Sequence, residues 1–111
     1  MKTEFCEEMR IKLIKAICEI YGDNLVSIIL YGSVARNEAT EDSDIDIALL
    51  VKNDDKMMYD KWQDVAVELD LEYDQLIATS LIEEEKFNKW KNVMPYYKNI
   101  EKDGIVLWKA A

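Results

Sequence analysis

Histidine is absent from this chain of 111 residues, and cysteine, glycine and proline are scarce. Without histidine, a Ser-His-Asp triad, a Cys-His pair and an imidazole metal site are all excluded. The only two cysteines, Cys6 and Cys18, cannot complete a four-ligand zinc site. A catalytic proton acceptor must therefore be a carboxylate, a lysine or a tyrosine. A bound metal must be an ion that prefers oxygen ligands, such as Mg²⁺ or Mn²⁺.

Long hydrophobic runs and glycine-rich motifs are also missing. The three glycines are too scattered to form a Walker loop or a GxGxxG turn. The longest largely apolar stretches, such as Ile45–Val51, are too short to span a bilayer, and the acidic first ten residues do not look like a signal peptide. Cys6 and Cys18 fall on one predicted helix, about three turns apart, and cannot bridge each other. We therefore expect a cytoplasmic protein with reduced thiols.

Positive charge is in short supply, because 14 Lys and Arg residues face 23 Asp and Glu residues, a net charge of −9. Such a chain is a poor free binder of nucleic acid or of anionic membranes. It suits a basic protein partner or a phosphate substrate that is bridged by metal ions. With 50% hydrophobic and 33% charged residues, the composition is that of a globular protein. The length predicts a single domain over residues 1–111.

The apolar periodicity predicts alternating helices and strands, in the order αβαβαβα with a small terminal strand. The predicted helices cover residues 3–21, 34–39, 55–69 and 80–90, and their proposed caps are Thr3, Ser33, Asp54 or Asp55, and Ser80. The predicted strands cover residues 25–31, 44–51, 73–79 and 105–108. This order predicts an α/β or α+β domain in which helices flank a small mixed sheet.

Asp44 and Asp46 form a pair of carboxylates at the start of the second predicted strand. They are two residues apart and therefore point to one face, while Ile45 and Ile47 point to the core. Two adjacent carboxylates repel each other unless a cation lies between them, which indicates a divalent metal. The alternative is a pair of solvated acids at a fraying strand end. An EF-hand is rejected, because Ile47 stands where glycine is needed and Asn53 where glutamate is needed.

Gly32 and Ser33 follow the first predicted strand at a point where a helix is expected to begin. Such a turn directs free backbone N–H groups and a hydroxyl towards an anion. The alternative is an ordinary capped turn. If the first two strands run antiparallel, this turn and the carboxylate pair meet at one edge of the sheet. In-line nucleotidyl transfer with two metal ions requires that arrangement.

The stretch GSVARNEATEDSDIDIALLV, residues 32–51, resembles the GSx10DxD signature of the DNA polymerase β-like nucleotidyltransferase superfamily. Ten residues separate Ser33 from Asp44, as in the signature. The SDID sequence and the segment 95–108 are similar to the small prokaryotic minimal nucleotidyltransferases. Asn37 departs from the glycine that is usual after the arginine, but asparagine tolerates a left-handed backbone. The resemblance covers nearly the whole chain and implies the polymerase β-like nucleotidyltransferase fold.

The resemblance also implies roles for the residues of the signature. Asp44 and Asp46 would hold two Mg²⁺ ions that bridge the enzyme to the phosphates of ATP. Gly32 and Ser33 would hold the β- and γ-phosphates. Arg36 either contacts phosphate or pairs with a nearby acid, such as Glu38 or Asp42.

A third carboxylate in this family comes from a neighbouring strand. The candidates are the acids between the third predicted helix and the third predicted strand: Asp70, Glu72 and Asp74. Asp74 is preferred, because it would open the third strand. By resemblance, it would complete the metal site nearest the attacking hydroxyl and accept its proton.

Members of this subgroup are commonly encoded beside a HEPN-domain partner, with which they form toxin–antitoxin pairs. The resemblance implies that this chain is a protein adenylyltransferase that transfers AMP from ATP to a tyrosine of the HEPN toxin. The alternatives are a non-catalytic module that binds its partner, and nucleotidyl transfer to a small molecule. Direct binding to nucleic acid or to a membrane is not expected, and self-association of the chain is left open.

Overall fold

The computed structural model describes residues 5–36, 38 and 43–111. The helices are Glu7–Tyr21 (α1), Gly32–Ala35 (α2), Lys56–Tyr73 (α3), Glu84–Trp90 (α4) and Pro95–Asp103 (α5), with a 3₁₀ turn at Gly22–Asn24. The strands are Leu25–Tyr31 (β1), Ile45–Val51 (β2), Ile77–Glu83 (β3) and Ile105–Lys109 (β4). The predicted fold class, helices around a small mixed sheet, is confirmed.

The four strands form one sheet in the order β3-β2-β1-β4. Strand β1 is central and antiparallel to both β2 and β4. Strand β3 runs parallel to β2, and α3 supplies the crossover that a parallel pair needs. The antiparallel pairing of β1 with β2 places the end of β1 opposite the start of β2, as the site hypothesis requires.

Each face of the sheet is covered by a different set of helices. On the first face, Ile28, Ile45 and Ile47 pack against α1 and against the fully buried Trp62 of α3. On the second face, residues of β1 and β2 pack against α4 and α5, forming the cluster Ile29, Ala48, Leu50, Ile82, Phe87, Tyr97 and Ile100. Burial on both faces explains why the second half of β2 is continuously apolar. We call the second face the site face, since Asp46 lies on it.

Helix caps agree with the prediction at one position and differ at another. Asp55 accepts a hydrogen bond from the backbone N–H of Met58 at 3.0 Å and caps α3, as expected. Helix α1 begins at Glu7 after Cys6, whose Sγ accepts from the N–H of Met9. The predicted cap Thr3 lies outside the described residues. Both cysteines are free thiols, as predicted.

The predicted boundaries are wrong in the second half of the chain. Helix α3 continues to Tyr73, so β3 begins at Ile77 rather than at Tyr73. Ser80, predicted to cap a helix, lies inside β3. Residues 95–103, to which the apolar pattern assigns no helix, form α5. Pro95 opens this helix, because the N–H that proline lacks would have no partner in the first helical turn. Among the described residues, no helix combines the length and the apolar character needed to cross a bilayer.

Candidate active site

The turn after β1 lies directly against the carboxylate of Asp46. Tyr31, the last residue of β1, is the cross-strand partner of Asp46, and Gly32 follows with φ +77°. A side-chain carbon added at Gly32 would collide with Oδ2 of Asp46. Only glycine therefore permits this approach of the backbone to the carboxylate. The predicted meeting of the Gly-Ser turn with the carboxylate pair is confirmed.

The helix that starts in this turn is shorter and begins earlier than predicted. It comprises Gly32–Ala35, and Tyr31 is its N-cap, without a side-chain hydrogen bond. Ser33 therefore stands within the first turn instead of capping a helix over residues 34–39. The first N–H groups of a helix have no acceptor within that helix. The backbone of Gly32 and Ser33 is consequently well placed to donate to an anion beside Asp46.

Asp44 and Asp46 behave as strand alternation predicts. Ile45 and Ile47 are fully buried on the opposite face, whereas Asp44 is exposed and Asp46 half-buried. Burial raises the pKa of the Asp46 carboxyl, the negative charge of Asp44 raises it further, and Arg36 partly offsets both effects. A cation at the pair would relieve this electrostatic stress.

The residues present fit a magnesium ion that is shared with a phosphate. Within residues 5–36, 38 and 43–111, no group of three or more His, Cys, Asp or Glu side chains is gathered around a common point. Mg²⁺ typically takes one or two carboxylates and completes its octahedron with water and substrate phosphates. Asp44 and Asp46, beside the N–H donors of Gly32 and Ser33, match that ligand set.

Arg36 forms an ion pair with Glu38, in which Nε donates to Oε1 at 2.8 Å. One of the two open roles for Arg36 is therefore realised in the structure, while Asp42, the other proposed partner, lies outside the described residues. Both side chains are largely exposed, and exposed ion pairs are weak. The hydrogen bond to Glu38 is the main reason that the pKa of Arg36 is raised, and the charges of Asp103 and Asp46 add to it. Arg36 thus borders the site while it is paired with Glu38.

The three candidates for a third carboxylate have different surroundings. Glu72 pairs with Lys12 of α1 at 2.6 Å. Asp70 accepts the backbone N–H of Ile77 at 2.9 Å, and its pKa is raised by burial and, less strongly, by the charge of Asp44. Asp74 is the C-cap of α3, in the left-handed conformation with φ 54°. The prediction that Asp74 opens β3 is therefore wrong, because it stands in the connection that precedes the strand.

Strand β3, which lies beside the Asp44–Asp46 pair, has an alanine at the position where a third carboxylate would lie on the same face of the sheet as Asp46. The parallel partner of Asp46 in β3 is Ala78, and the N–H of Ile45 donates to the carbonyl of Leu76 at 2.8 Å. The structure thus brings Gly32, Ser33, Arg36, Asp44 and Asp46 to one edge of the sheet. The role of Asp74 stays a prediction.

Sequence reasoning missed a cluster of hydroxyl groups on the site face. The hydroxyl of Tyr31 lies 3.1 Å from that of Ser80 and 2.9 Å from that of Tyr96. Ser80 and Tyr96 are 2.5 Å apart. We call these three groups the hydroxyl triangle. The sequence pattern does not reveal this cluster, because it predicts Ser80 as a helix cap and predicts no element at Tyr96, whereas these residues lie in β3 and α5.

The match to a family model identifies the class of protein to which the chain belongs. Residues 10–107 match the model of the nucleotidyltransferase domain, so the chain belongs to that family. This confirms the predicted enzyme class, a nucleotidyltransferase. A relative from Methanocaldococcus jannaschii, described as a "putative protein adenylyltransferase", is 38% identical over 103 residues, which cover 92% of this chain and 98% of the relative.

Solved structures agree on the fold. A chain of a mutant MntA–HpeT toxin–antitoxin complex superposes with a TM-score of 0.61 at 20% identity, covering 91% of this chain and 73% of the other. A chain of the complex between the tri-AMPylated HEPN toxin and the MNT antitoxin of Shewanella oneidensis gives a TM-score of 0.56 at 20% identity, covering 99% and 74%. The predicted nucleotidyltransferase fold is therefore confirmed.

Proposed function

We propose that this chain is a Mg²⁺-dependent protein adenylyltransferase that transfers AMP from ATP to a tyrosine hydroxyl of a HEPN-type toxin, and that it acts as the antitoxin. The observation that carries the proposal is the contact between the Gly32 turn and the Asp46 carboxylate at one edge of the sheet. Further support comes from the adenylyltransferase relative and from the toxin–antitoxin complexes that share the fold.

The proposed reaction assigns separate tasks to the residues at this edge. The backbone N–H groups of Gly32 and Ser33, with the Ser33 hydroxyl, hold the terminal phosphates of ATP. Asp44 and Asp46 hold Mg²⁺, which neutralises phosphate charge when it is bound. The acceptor hydroxyl attacks the α-phosphorus, the bond to pyrophosphate breaks, and the hydroxyl proton passes to a carboxylate or to water. Asp74, which lies in the α3–β3 connection, is the proposed proton acceptor.

Charge supports a protein acceptor rather than a nucleic acid. A chain with a net charge of −9 repels the phosphates of free RNA or DNA and attracts a basic surface. The ATP substrate and the free thiols of Cys6 and Cys18 suit the cytoplasm. The alternatives are a partner-binding module without catalysis and transfer to a small molecule.

The first prediction is that the Asp44→Asn, Asp46→Asn double variant loses transfer but keeps its fold. The chain is incubated with the HEPN-type partner, ATP and Mg²⁺, and the partner is weighed by mass spectrometry. The parent chain should add the mass of AMP to a tyrosine of the partner, and the double variant should add it only at the background rate. Neither side chain is part of the apolar core, so the thermal midpoint should change little.

The charge-matched control is the Asp60→Asn, Asp64→Asn double variant, which removes two exposed carboxylates from α3. It should transfer AMP at the parent rate. A tight complex of the parent chain with its partner but no mass change would support the binding-module alternative. Normal transfer by the Asp44→Asn, Asp46→Asn variant would refute the assignment of the site.

A further inference from the structure

The hydroxyl triangle stands beside the proposed phosphate and metal site on the same face of the sheet. Tyr31 is the cross-strand partner of Asp46, so their side chains are neighbours on one face. Ser80 lies two residues beyond Ala78, the partner of Asp46 in β3, and therefore shares that face.

The triangle is accessible from solvent through Tyr96. This residue of α5 is 42% exposed, whereas Tyr31 and Ser80 are half-buried. The rings of Tyr31 and Tyr96 meet edge to face, with centroids 6.0 Å apart, which holds the two phenols in place. A ligand bound at Asp44 and Asp46 can therefore extend along the sheet face to a fixed set of hydroxyl oxygens.

Counting protons shows what the triangle can recognise. Three hydroxyl groups carry three protons, and the three oxygen–oxygen contacts use all of them. Each oxygen keeps a lone pair, so the triangle can accept further hydrogen bonds but has no free proton to donate. The triangle can therefore accept hydrogen bonds from a donor group of a ligand, and within it no proton is left to donate to a phosphate.

We infer that the hydroxyl triangle of Tyr31, Ser80 and Tyr96 is a subsite for the sugar hydroxyls of the nucleoside triphosphate. The inference rests on the proposed function, which puts the α-phosphate at Asp44 and Asp46. The ribose is bonded directly to that phosphate, and its hydroxyls are the nearest donor groups of the substrate. Phosphates only accept hydrogen bonds, so they remain at the Gly32–Ser33 turn.

The test compares the binding of ATP, 2′-deoxy-ATP and 3′-deoxy-ATP to the intact chain by calorimetry with Mg²⁺ and without an acceptor protein. The parent chain should bind ATP about three- to tenfold more tightly than at least one of the deoxy analogues, the range for one neutral hydrogen bond. In Tyr96→Phe, the ratio of the affinity for ATP to the affinity for that deoxy analogue should fall towards one. The reason is that ATP should bind more weakly while the analogue binds as before. Ser80→Ala provides a second variant with the same expectation.

The matched control is Tyr73→Phe, which also removes a bonded tyrosine hydroxyl, in this case one that donates to Glu8 on α1. It should keep the parent preference. Two outcomes overturn the inference while leaving the proposed function in place: ATP binding by the parent without any sugar preference, or an unchanged preference in both Tyr96→Phe and Ser80→Ala. Failure of the parent chain to bind ATP would overturn the inference and the proposed function together.

Discussion

Gly32 and Gly22 have similar backbone conformations but different surroundings. Their φ angles are +77° and +52°, so alanine is strained at either position. A side-chain carbon at Gly32 meets the Asp46 carboxylate, whereas one at Gly22 meets nothing within 4 Å. We predict that Gly32→Ala abolishes AMP transfer by displacing Asp46, as measured by mass spectrometry of the partner protein.

Gly22→Ala controls for the backbone strain that both substitutions introduce. Each variant should lose about 1 kcal/mol of unfolding free energy, but Gly22→Ala should retain transfer. Equal activity of the two variants would show that close approach of the turn to Asp46 is not needed for the reaction.

At the scale of single residues, the sequence was informative where the physical rule is local. The alternation of Asp44, Ile45, Asp46 and Ile47 follows from strand geometry alone, and the structure confirms it. The prediction that the Gly32 turn meets Asp46 required the further assumption that β1 and β2 pair antiparallel, which the sequence alone does not establish. Arg36 could not be assigned, because two local acids and a phosphate compete for the same guanidinium.

At the scale of elements, the path of the chain from α3 to β3 determines which acidic residue can serve as the third carboxylate. We predict that Asp74→Asn lowers the single-turnover rate of AMP transfer while the affinity for ATP stays unchanged. The exposed side chain should add nothing to stability. Rapid-quench measurement of a single turnover, with calorimetric titration of ATP, separates the two quantities.

Asp70→Ala should show the opposite pattern. Its carboxylate accepts the N–H of Ile77 at the start of β3, so its loss should cost about 1 kcal/mol of unfolding free energy and leave the chemical step intact. A parent rate in Asp74→Asn would indicate a site with two carboxylates. A slow single turnover in Asp70→Ala would give the third role to Asp70.

The misplacement of β3 has a physical cause. Residues 73–79 are predicted to form a strand, but α3 extends to Tyr73 and ends in a left-handed aspartate rather than at a glycine. Aspartate is a weaker signal for a helix end than glycine, so the apolar pattern does not show that α3 ends at Tyr73. The same shift moved Ser80 from a cap into a strand and concealed its contact with Tyr31 and Tyr96.

At the scale of the whole molecule, one buried phenol links stability to alkaline pH. Burial raises the pKa of Tyr21 from 10.0 to about 12, and its hydroxyl has no hydrogen-bond partner among the described residues. Below pH 10 the phenol is protonated in both states. Between about pH 10 and pH 12 only the unfolded state releases the proton, so the free energy of unfolding falls as pH rises.

Tyr21→Phe should remove this contribution to the alkaline loss of stability. It should also raise the unfolding free energy at neutral pH by about 1 kcal/mol, because a buried hydroxyl without a partner is lost. Urea unfolding of the parent chain and of Tyr21→Phe at several pH values measures both effects. An unchanged slope above pH 10 in Tyr21→Phe would contradict the assignment.

The pairing of β4 with the central strand β1 has a consequence for the order of assembly. Strand β4, near the end of the sequence, pairs with residues Ser27 to Leu30 of β1, near its beginning. Contacts between residues so far apart in the sequence form slowly. Helix α5, which carries Tyr96, directly precedes β4 in the chain. During synthesis, the Gly-Ser turn and both aspartates therefore emerge from the ribosome before α5 and β4. Tyr96, and with it the complete hydroxyl triangle, joins the site only after α5 has been synthesised.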